Sequence, residues 1–477
     1  MPVIIIIADG VRPDTLDAAL TSDRRAAIAP AIARLREEGA FHTVTSCFPT
    51  VTGPAYAPFL MGRYPGAIGL PGLRWFDRSR ATCSFPTFSR SYVGHQMRRV
   101  DRDLDPSAPT LFELSERSVG ALSVISRGLP ARDRVATSTA RVARTHFTGN
   151  LNGWLDIDRD IVEEVVRRIR DERPEFVFAA LTGIDKSSHA RGHDAPIVGD
   201  AIGIVDELVA RIRADAEALG YWDDTHVWIT SDHGHSPVRA HDDLARGIAQ
   251  LGLRVMSHPW VLTLLPQVAV MVSGNAMAHV YVELEQRRRP LWAALRRRWE
   301  PFANELLARP SVDLMLLPNE HRACEVRSRD RGTAVVSVKG DRFSYRRQSG
   351  DPLGIGADLR HVDARDAYDA TMDSDYPDAV VQIATIASAP RAGDVILSAA
   401  RDWDFRARYE PIPHVSSHGA LHREHMLVPL VVNRPPVRTP RRTVDVMPSA
   451  LAALGIEAPA GLDGTSFIER VRRTRAA

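Results

Sequence analysis

Three carboxylates and three imidazoles stand beside short apolar runs, in four separated stretches of the chain. Asp9 closes the run Val3-Ile-Ile-Ile-Ile-Ala8, and Asp185, Lys186 and His189 come just after Phe176–Leu181. Asp232-His233-Gly234 comes just after His226–Thr230, and His418-Gly419 lies a few residues ahead of Met426–Val432. Mixed oxygen and nitrogen donors of this kind suit Zn²⁺ or Mn²⁺. Taken singly, each stretch has a plainer reading. An aspartate after a strand often caps a turn or helix, and Asp-His pairs are common in loops. The spacing of Asp185 and His189 puts both on one helical face, where a salt bridge fits as well. All four in order, each beside an apolar run, point to one assembled site.

The elements that must position these groups read as an α/β fold. Val3–Ala8, Ala121–Ser126, Phe176–Leu181 and His226–Thr230 are expected strands. Ala29–Glu38, Thr110–Glu116, Ile161–Arg170 and Ile197–Leu219 are expected helices, and the alternation indicates βαβ units with a parallel sheet. Ligands bind such sheets at the carboxyl ends of the strands. After about residue 265 the texture changes: Ala278–Leu284, Asp313–Leu317, Ala323–Arg327 and Ala334–Val338 read as sheet. A helix between the first two carries Leu291, Leu295, Trp299, Phe302 and Leu306 on one face, and Pro301 should kink or split it. Its arginine triplets read as a solvated face. Val395–Ala399 and Met426–Val432 are again strands and Asp445–Leu454 a helix, while Gly350–Gly356 reads as a loop. The expectation is a discontinuous core, 1–264 and 391–477, with a smaller α+β lobe inserted at 265–390.

A fifth segment, Cys47-Phe-Pro49-Thr50-Val51-Thr52-Gly53-Pro54-Ala55 continuing to Met61-Gly62-Arg63-Tyr64-Pro65, carries a family resemblance. The chain resembles the alkaline phosphatase superfamily, in its type I phosphodiesterase/nucleotide pyrophosphatase branch. There a nucleophilic threonine begins a helix and a Thr-Gly-x-x-Pro stretch follows nine residues later; Thr52 and Met61 keep that interval. The resemblance covers Met1 to about Ser236 and residues 390–470, including Asp445-Val-Met-Pro448 and Leu462-Asp-Gly464. It implies an alkaline-phosphatase-like, mostly parallel central sheet flanked by helices. It also implies Thr52 as nucleophile, one metal on Asp185, His189 and His418, and another on Asp9, Asp232 and His233 with the Thr52 oxygen. Physical chemistry agrees with such roles, because a threonine hydroxyl attacks at neutral pH only when a base or metal activates it. Two metals can serve the attacking and leaving oxygens of an in-line displacement.

Several residues depart from the family pattern. Ile68 replaces a usual histidine, Met61 a usual threonine, and Leu73 stands roughly where nucleotide-cleaving members hold phosphate with asparagine. Lys186 contacts the substrate phosphate or faces solvent. His193, His235, His414, His422 and His425 lie near the motifs, but among His414, His418, His422 and His425 only His418 precedes glycine as the pattern requires. The stretches Gly69–Asp77 and Arg90–Tyr92 line the pocket or pack as loop and core. Cys47-Phe-Pro49-Thr50 imitates a sulfatase signature, yet Val51 replaces its arginine and the spacing to Met61 is too long. Cys47 therefore reads as a buried structural cysteine.

Composition bounds the remaining possibilities. The 477 residues carry 61 basic and 59 acidic groups, a net charge of +2, so neither a nucleic-acid polymer nor an anionic membrane is demanded as partner. All but two of the basic groups are arginine, the lysines being Lys186 and Lys339. Three cysteines exclude a disulfide scaffold, no apolar run is long enough for a membrane helix, and the opening residues lack a secretory leader, which suggests the cytoplasm. No Gly-x-Ser-x-Gly elbow or P-loop occurs. The expected protein is a two-metal hydrolase of small-molecule phosphate esters, a phosphodiesterase or pyrophosphatase working through phosphothreonine. A phosphomonoesterase, phosphonate hydrolase or mutase is the alternative within the superfamily. An inactive binding module is the alternative of another class.

Overall fold

The computed structural model describes residues 2–21, 28–79, 89–91, 97, 99–135, 137–258, 262–406 and 414–471. The run Val3–Ala8 is a strand buried along its whole length, as a continuous aliphatic stretch must be when both faces of its sheet are covered. It lies at the middle of seven strands in the order Ala40–Thr45, Leu427–Val432, His226–Thr230, Val3–Ala8, Phe176–Leu181, Ser118–Ala121, Arg134–Val135. Leu427–Val432 runs against the other six. Alternation splits the central strand between two cores. Val3, Ile5 and Ile7 pack toward the helices Ala57–Met61 and Val446–Leu454, while Ile4, Ile6 and Ala8 pack toward Leu151–Glu172 and Pro196–Ala218. The mixed α/β architecture with helices on both faces is the expected one.

Some boundaries differ from expectation for local reasons. The strand expected at Ala121–Ser126 is Ser118–Ala121, because Leu122 turns into the left-handed region at φ 48°. Ile161–Arg170 is the second half of a 22-residue helix that starts where the Asn150 side chain caps Gly153. The Thr110–Glu116 helix shrinks to Leu111–Leu114, closed by a reciprocal Thr110–Glu113 capping box.

The second sheet has nine strands, from Val255–Ser257 at one edge to Leu359–Val362 at the other, with Val395–Ala399 paired between Met277–Tyr281 and Val312–Pro318. One face takes the helix Trp292–Leu307, which buries Leu295, Trp299, Phe302 and Leu306 against Val280, Leu317 and Leu397. Pro301 neither ends nor divides that helix, because the packed apolar face holds it across the missing N–H. The other face takes Ala379–Ser388, an unanticipated helix, against Leu314, Leu316 and Val336. A small third sheet pairs Ser236–His241 with Asp402–Asp404 and Ser416–Ser417. No described helix is long and apolar enough to cross a membrane.

Candidate metal centre

The six donors converge at the carboxyl ends of the central strands. Asp9 follows the first strand, where Gly10 at φ 80° lets the chain pass the His235 ring; a Cβ there would lie 2.9 Å from it. The Phe176–Leu181 strand leads into the helix Gly183–Arg191, with Asp185 in its first turn and His189 one turn on. That helix begins under Asp158, whose carboxylate accepts from Thr182 N at 3.0 Å and Gly183 N at 2.7 Å. The small third sheet then brings two distant stretches together: Ser417 pairs with Ser236, so His418 arrives beside His233 and their rings stack at 3.6 Å.

Each of the three imidazoles is oriented by a backbone carbonyl. His189 Nδ1 meets Ser416 O at 2.9 Å, His418 Nδ1 meets Thr50 O at 2.8 Å, and His233 Nδ1 meets Gly234 O at 3.2 Å. A carbonyl only accepts, so each Nδ1 carries the proton and each Nε2 presents a lone pair, the arrangement usual for metal-binding histidines. The Nε2 atoms of His189 and His418 lie 3.2 and 3.6 Å from Asp185 Oδ1. His233 Nε2 lies 3.5 Å from Asp9 Oδ1, 3.5 Å from Asp232 Oδ2 and 3.1 Å from Thr52 Oγ. The Thr52 hydroxyl also reaches Asp9 Oδ1 at 3.3 Å, and its one proton serves only one of these acceptors. Asp9, Asp232 and His233 thus gather at Thr52, and Asp185 and His418 gather with His233 and His235, while His189 touches that second group through Asp185.

The electrostatics call for cations. Both oxygens of Asp232 are buried without a hydrogen-bond partner among the described residues, which is costly for a carboxylate. Burial, then the charges of Asp232 and Asp185, raises Asp9 well above the usual carboxylate range. Burial would raise Asp185 too, but Lys186 and His189 more than offset it and hold its carboxyl low. Burial, then the neighbouring His233, keeps His418 neutral by lowering its pKa. Ligand atoms of Asp9, Asp232 and His233 lie within 4.8 Å of one another, and so do those of Asp185, His233, His235 and His418. These donor sets fit divalent metal ions.

Other expectations meet mixed outcomes. The helix ahead of Thr52 is short: a 3₁₀ turn at Pro54–Tyr56 precedes Ala57–Met61, so Thr52 sits two residues before the turn and not at a long helix start. Lys186 Nζ pairs with Asp185 Oδ2 at 2.7 Å and lies over the Trp154 ring, with about a third of its side chain (32%) exposed. Trp75 and Phe76 belong to the core, and a Cβ on Gly72 would meet Ser273 Oγ at 2.5 Å. Arg90 lies in a short strand, while Tyr92 and Cys83 fall outside the described residues. Cys47 is buried and burial pushes its thiol up, which suits the structural reading.

His235 is the residue whose role sequence reasoning missed. Its Nε2 lies 2.9 Å from Asp185 Oδ1 and its Nδ1 3.1 Å from Ser416 Oγ, and burial lowers its pKa to about 3. The available signal was its place two residues after His233. His414 stacks on His189 at 4.3 Å and meets Asn275 Nδ2 at 2.8 Å. His425 binds Ser236 Oγ, and His422 binds Glu424. His193 stands apart, near Arg12 and Asp14.

Fold and site together define a phosphoryl-transfer hydrolase of the alkaline phosphatase superfamily. The chain belongs to the type I phosphodiesterase/nucleotide pyrophosphatase family, whose model matches residues 3–421. Among solved structures it is similar to phosphonoacetate hydrolase from Sinorhizobium meliloti in complex with phosphonoacetate. That likeness has 17% identity and a TM-score of 0.57, over 95% of this chain and 96% of the other. It is also similar to murine ectonucleotide pyrophosphatase/phosphodiesterase 5, with 14% identity and a TM-score of 0.54 over 98% of each chain. An inactive threonine-to-alanine form of that mouse protein in complex with AMP aligns equally well, at 14% identity and a TM-score of 0.54 over 98% of this chain and 97% of that one. A search of curated proteins finds no match.

Proposed function

We propose that this chain is a two-metal phosphodiesterase that hydrolyses small-molecule phosphate esters through a phosphothreonine at Thr52. The observation that carries the reading is one partly exposed hydroxyl facing Asp9 and His233, in a cluster where both oxygens of Asp232 are buried without a hydrogen bond from any described residue. Asp185, His189 and His418 would hold one divalent ion, and Asp9, Asp232, His233 and Thr52 the other; Zn²⁺ and Mn²⁺ both match the donors. Bound there, the ions supply positive charge to the attacking and leaving oxygens. Thr52 Oγ forms a bond to phosphorus while the ester oxygen departs with its electron pair. Water then cleaves the phosphothreonine, releasing phosphate or its monoester and restoring the hydroxyl. Lys186 is assigned to the substrate phosphate, since its ammonium sits at the metal centre beside Asp185 and its side chain is about a third (32%) exposed.

Acid quenching during turnover of a nitrophenyl phosphodiester should trap a phosphoryl group on the peptide containing Thr52. Full activity in Thr52→Ala would overturn the nucleophile. Elemental analysis should find two transition-metal ions per chain; fewer than one after repletion would favour an inactive binding module. A second reading, phosphonate hydrolysis, draws support from the likeness to phosphonoacetate hydrolase and from Leu73 in place of a phosphate-holding asparagine. Faster turnover of phosphonoacetate than of the diester would select it. A phosphomonoester preferred by more than about tenfold, some 1.4 kcal/mol in the barrier, would select a monoesterase.

A further inference from the structure

We propose that the open face of the second sheet binds a compact anion carrying several phosphate groups, at a site separate from the metal centre. The strands Ala323–Ser328, Gly332–Lys339, Arg342–Arg347 and Leu359–Val362 form one end of that sheet. Their inward residues, Cys324, Val326, Val336 and Tyr345, belong to a buried core. The opposite face carries Ala323, Ser337 and Ser344 across three adjacent strands, with Val335 opposite Arg346. That face bounds a cavity of about 860 Å³ lined wholly by residues 321–361. None of the metal-centre residues lines it.

Four cations ring this floor: Arg322, Lys339, Arg346 and Arg360. Exposed arginines are normally solvated or paired, and the pairing nearby is instructive. Arg327 is held by Glu300, Arg331 by Asp313, and Arg347 by Asp358. None of the four lining cations forms an ion pair with a described residue. Asp358, the carboxylate of the cavity wall, is already taken by Arg347 at 3.2 Å. One of only two lysines in the chain, Lys339, is spent here.

The backbone is arranged to keep these groups together. Between the pairs Phe343–Val362 and Tyr345–Leu359, one residue, Ser344, faces two, Arg360 and His361. This bulge is pinned by His361 N donating to Ser344 Oγ at 3.1 Å. His361 has φ 50°, and at the other rim His321 and Arg322 have φ 56° and 55°. Left-handed backbone in non-glycine residues is strained and collects at functional sites, and bulges re-aim side chains in the same way.

The occupant follows from charge and size. Guanidinium groups grip phosphate through paired N–H donors. A cavity of this volume falls in the range of small-molecule sites. Its lining holds no Trp or Phe, the Tyr345 ring is buried on the other side, and the remaining rings are the small imidazoles of His321 and His361. Single-stranded nucleic acid, which is held by stacking as well as charge, is therefore the poorer fit.

The test uses the full, metal-loaded chain and tripolyphosphate, measured by calorimetry against Arg346→Glu/Arg360→Glu. Both substitutions are on exposed side chains, and any binding at the metal centre is common to both proteins and subtracts. The wild type should bind at least about tenfold more tightly than the variant, and Arg322→Glu/Lys339→Glu should reproduce the loss with an unchanged melting temperature. Equal binding by all three proteins would overturn the proposal. So would a short DNA duplex that binds the wild type and is not displaced by tripolyphosphate.

Discussion

In the Asp/His cluster the charged groups are buried, and each imidazole is fixed by a backbone carbonyl, for His189 and His418 one from a distant part of the chain. On the open face of the second sheet the charged groups are exposed and held only by the strands beneath them. A buried carboxylate such as Asp232 is costly unless it is paired or neutralised, so the first region suits an ion that stays. Exposed guanidinium groups tolerate solvent and are screened by salt, so the second is organised for an anion that comes and goes. The same residue types thus serve residence in one place and exchange in the other, and burial makes the difference.

The sharpest way to break that contrast is to delete the hydroxyl. Thr52→Ala should lower kcat/KM for a diester by about 10⁴ or more, as loss of a covalent nucleophile does, while elemental analysis still finds both ions. Arg346→Glu/Arg360→Glu should leave kcat/KM for the same substrate within about twofold. A large loss in the second variant would show that the two regions act as one site.

A second test separates burial from charge. Burial raises the Asp158 carboxyl to about 7, partly opposed by the two amides it caps. Because the folded value exceeds the ordinary 3.8, folding favours the protonated form. Asp158 then costs nothing below about pH 4, and its cost grows as pH rises toward 7 and levels above it. The upper bound is on the order of 4 kcal/mol. Asp158→Asn abolishes this titration, so denaturant unfolding should show wild-type stability falling relative to the variant between pH 4 and 7. A flat difference would mean that water reaches the carboxylate.

Much of the cluster was legible before folding, because its grammar is local: an apolar run ends, and a donor follows. Asp9, Asp185, His189, Asp232 and His233 all obey it, His418 instead stands just ahead of its apolar run, and Thr52 keeps its interval to Met61. His235 does not, since it sits beside Asp185 only because Ser236–His241 pairs with Ser416–Ser417, a contact that no local pattern encodes. The cavity was illegible for a related reason. Ala334–Val338 reads only as one more strand, and which of its neighbours' side chains join Val335 and Ser337 on one face is set by the pairing and its bulge. Element limits failed where a cap or a left-handed residue decided them, at the helix starting after Asn150 and the strand ending before Leu122. Pro301 misled because packing outweighed a local rule.

His235 offers the next sharpening. If it positions Asp185, His235→Ala should weaken metal binding by about 10–100-fold, the range for partners of metal ligands. Competition with a chelator measures this independently of turnover. His235→Gln, whose amide nitrogen can reach the Nε2 position and donate to Asp185, should recover part of the loss, whereas a purely packing role predicts no recovery.

The smallest effect tests a place where the second sheet meets the cluster. The hairpin tip Gly274-Asn275 of the second sheet enters the cluster: both residues have φ near 60°, and a Cβ on Gly274 would lie 2.6 Å from the Val51 side chain and 3.0 Å from His418 Nδ1. Asn275 Nδ2 meets His414 Nδ1, and His414 stacks on His189. Asn275→Ala removes the amide and a residue suited to left-handed backbone, but it leaves the Ser416 carbonyl that fixes His189. His189 should therefore keep its orientation and only loosen. The expected loss in kcat is about two- to fivefold, near 0.5–1 kcal/mol, with metal content unchanged. A loss as large as that of His235→Ala would place the hairpin tip among the groups that hold the ion.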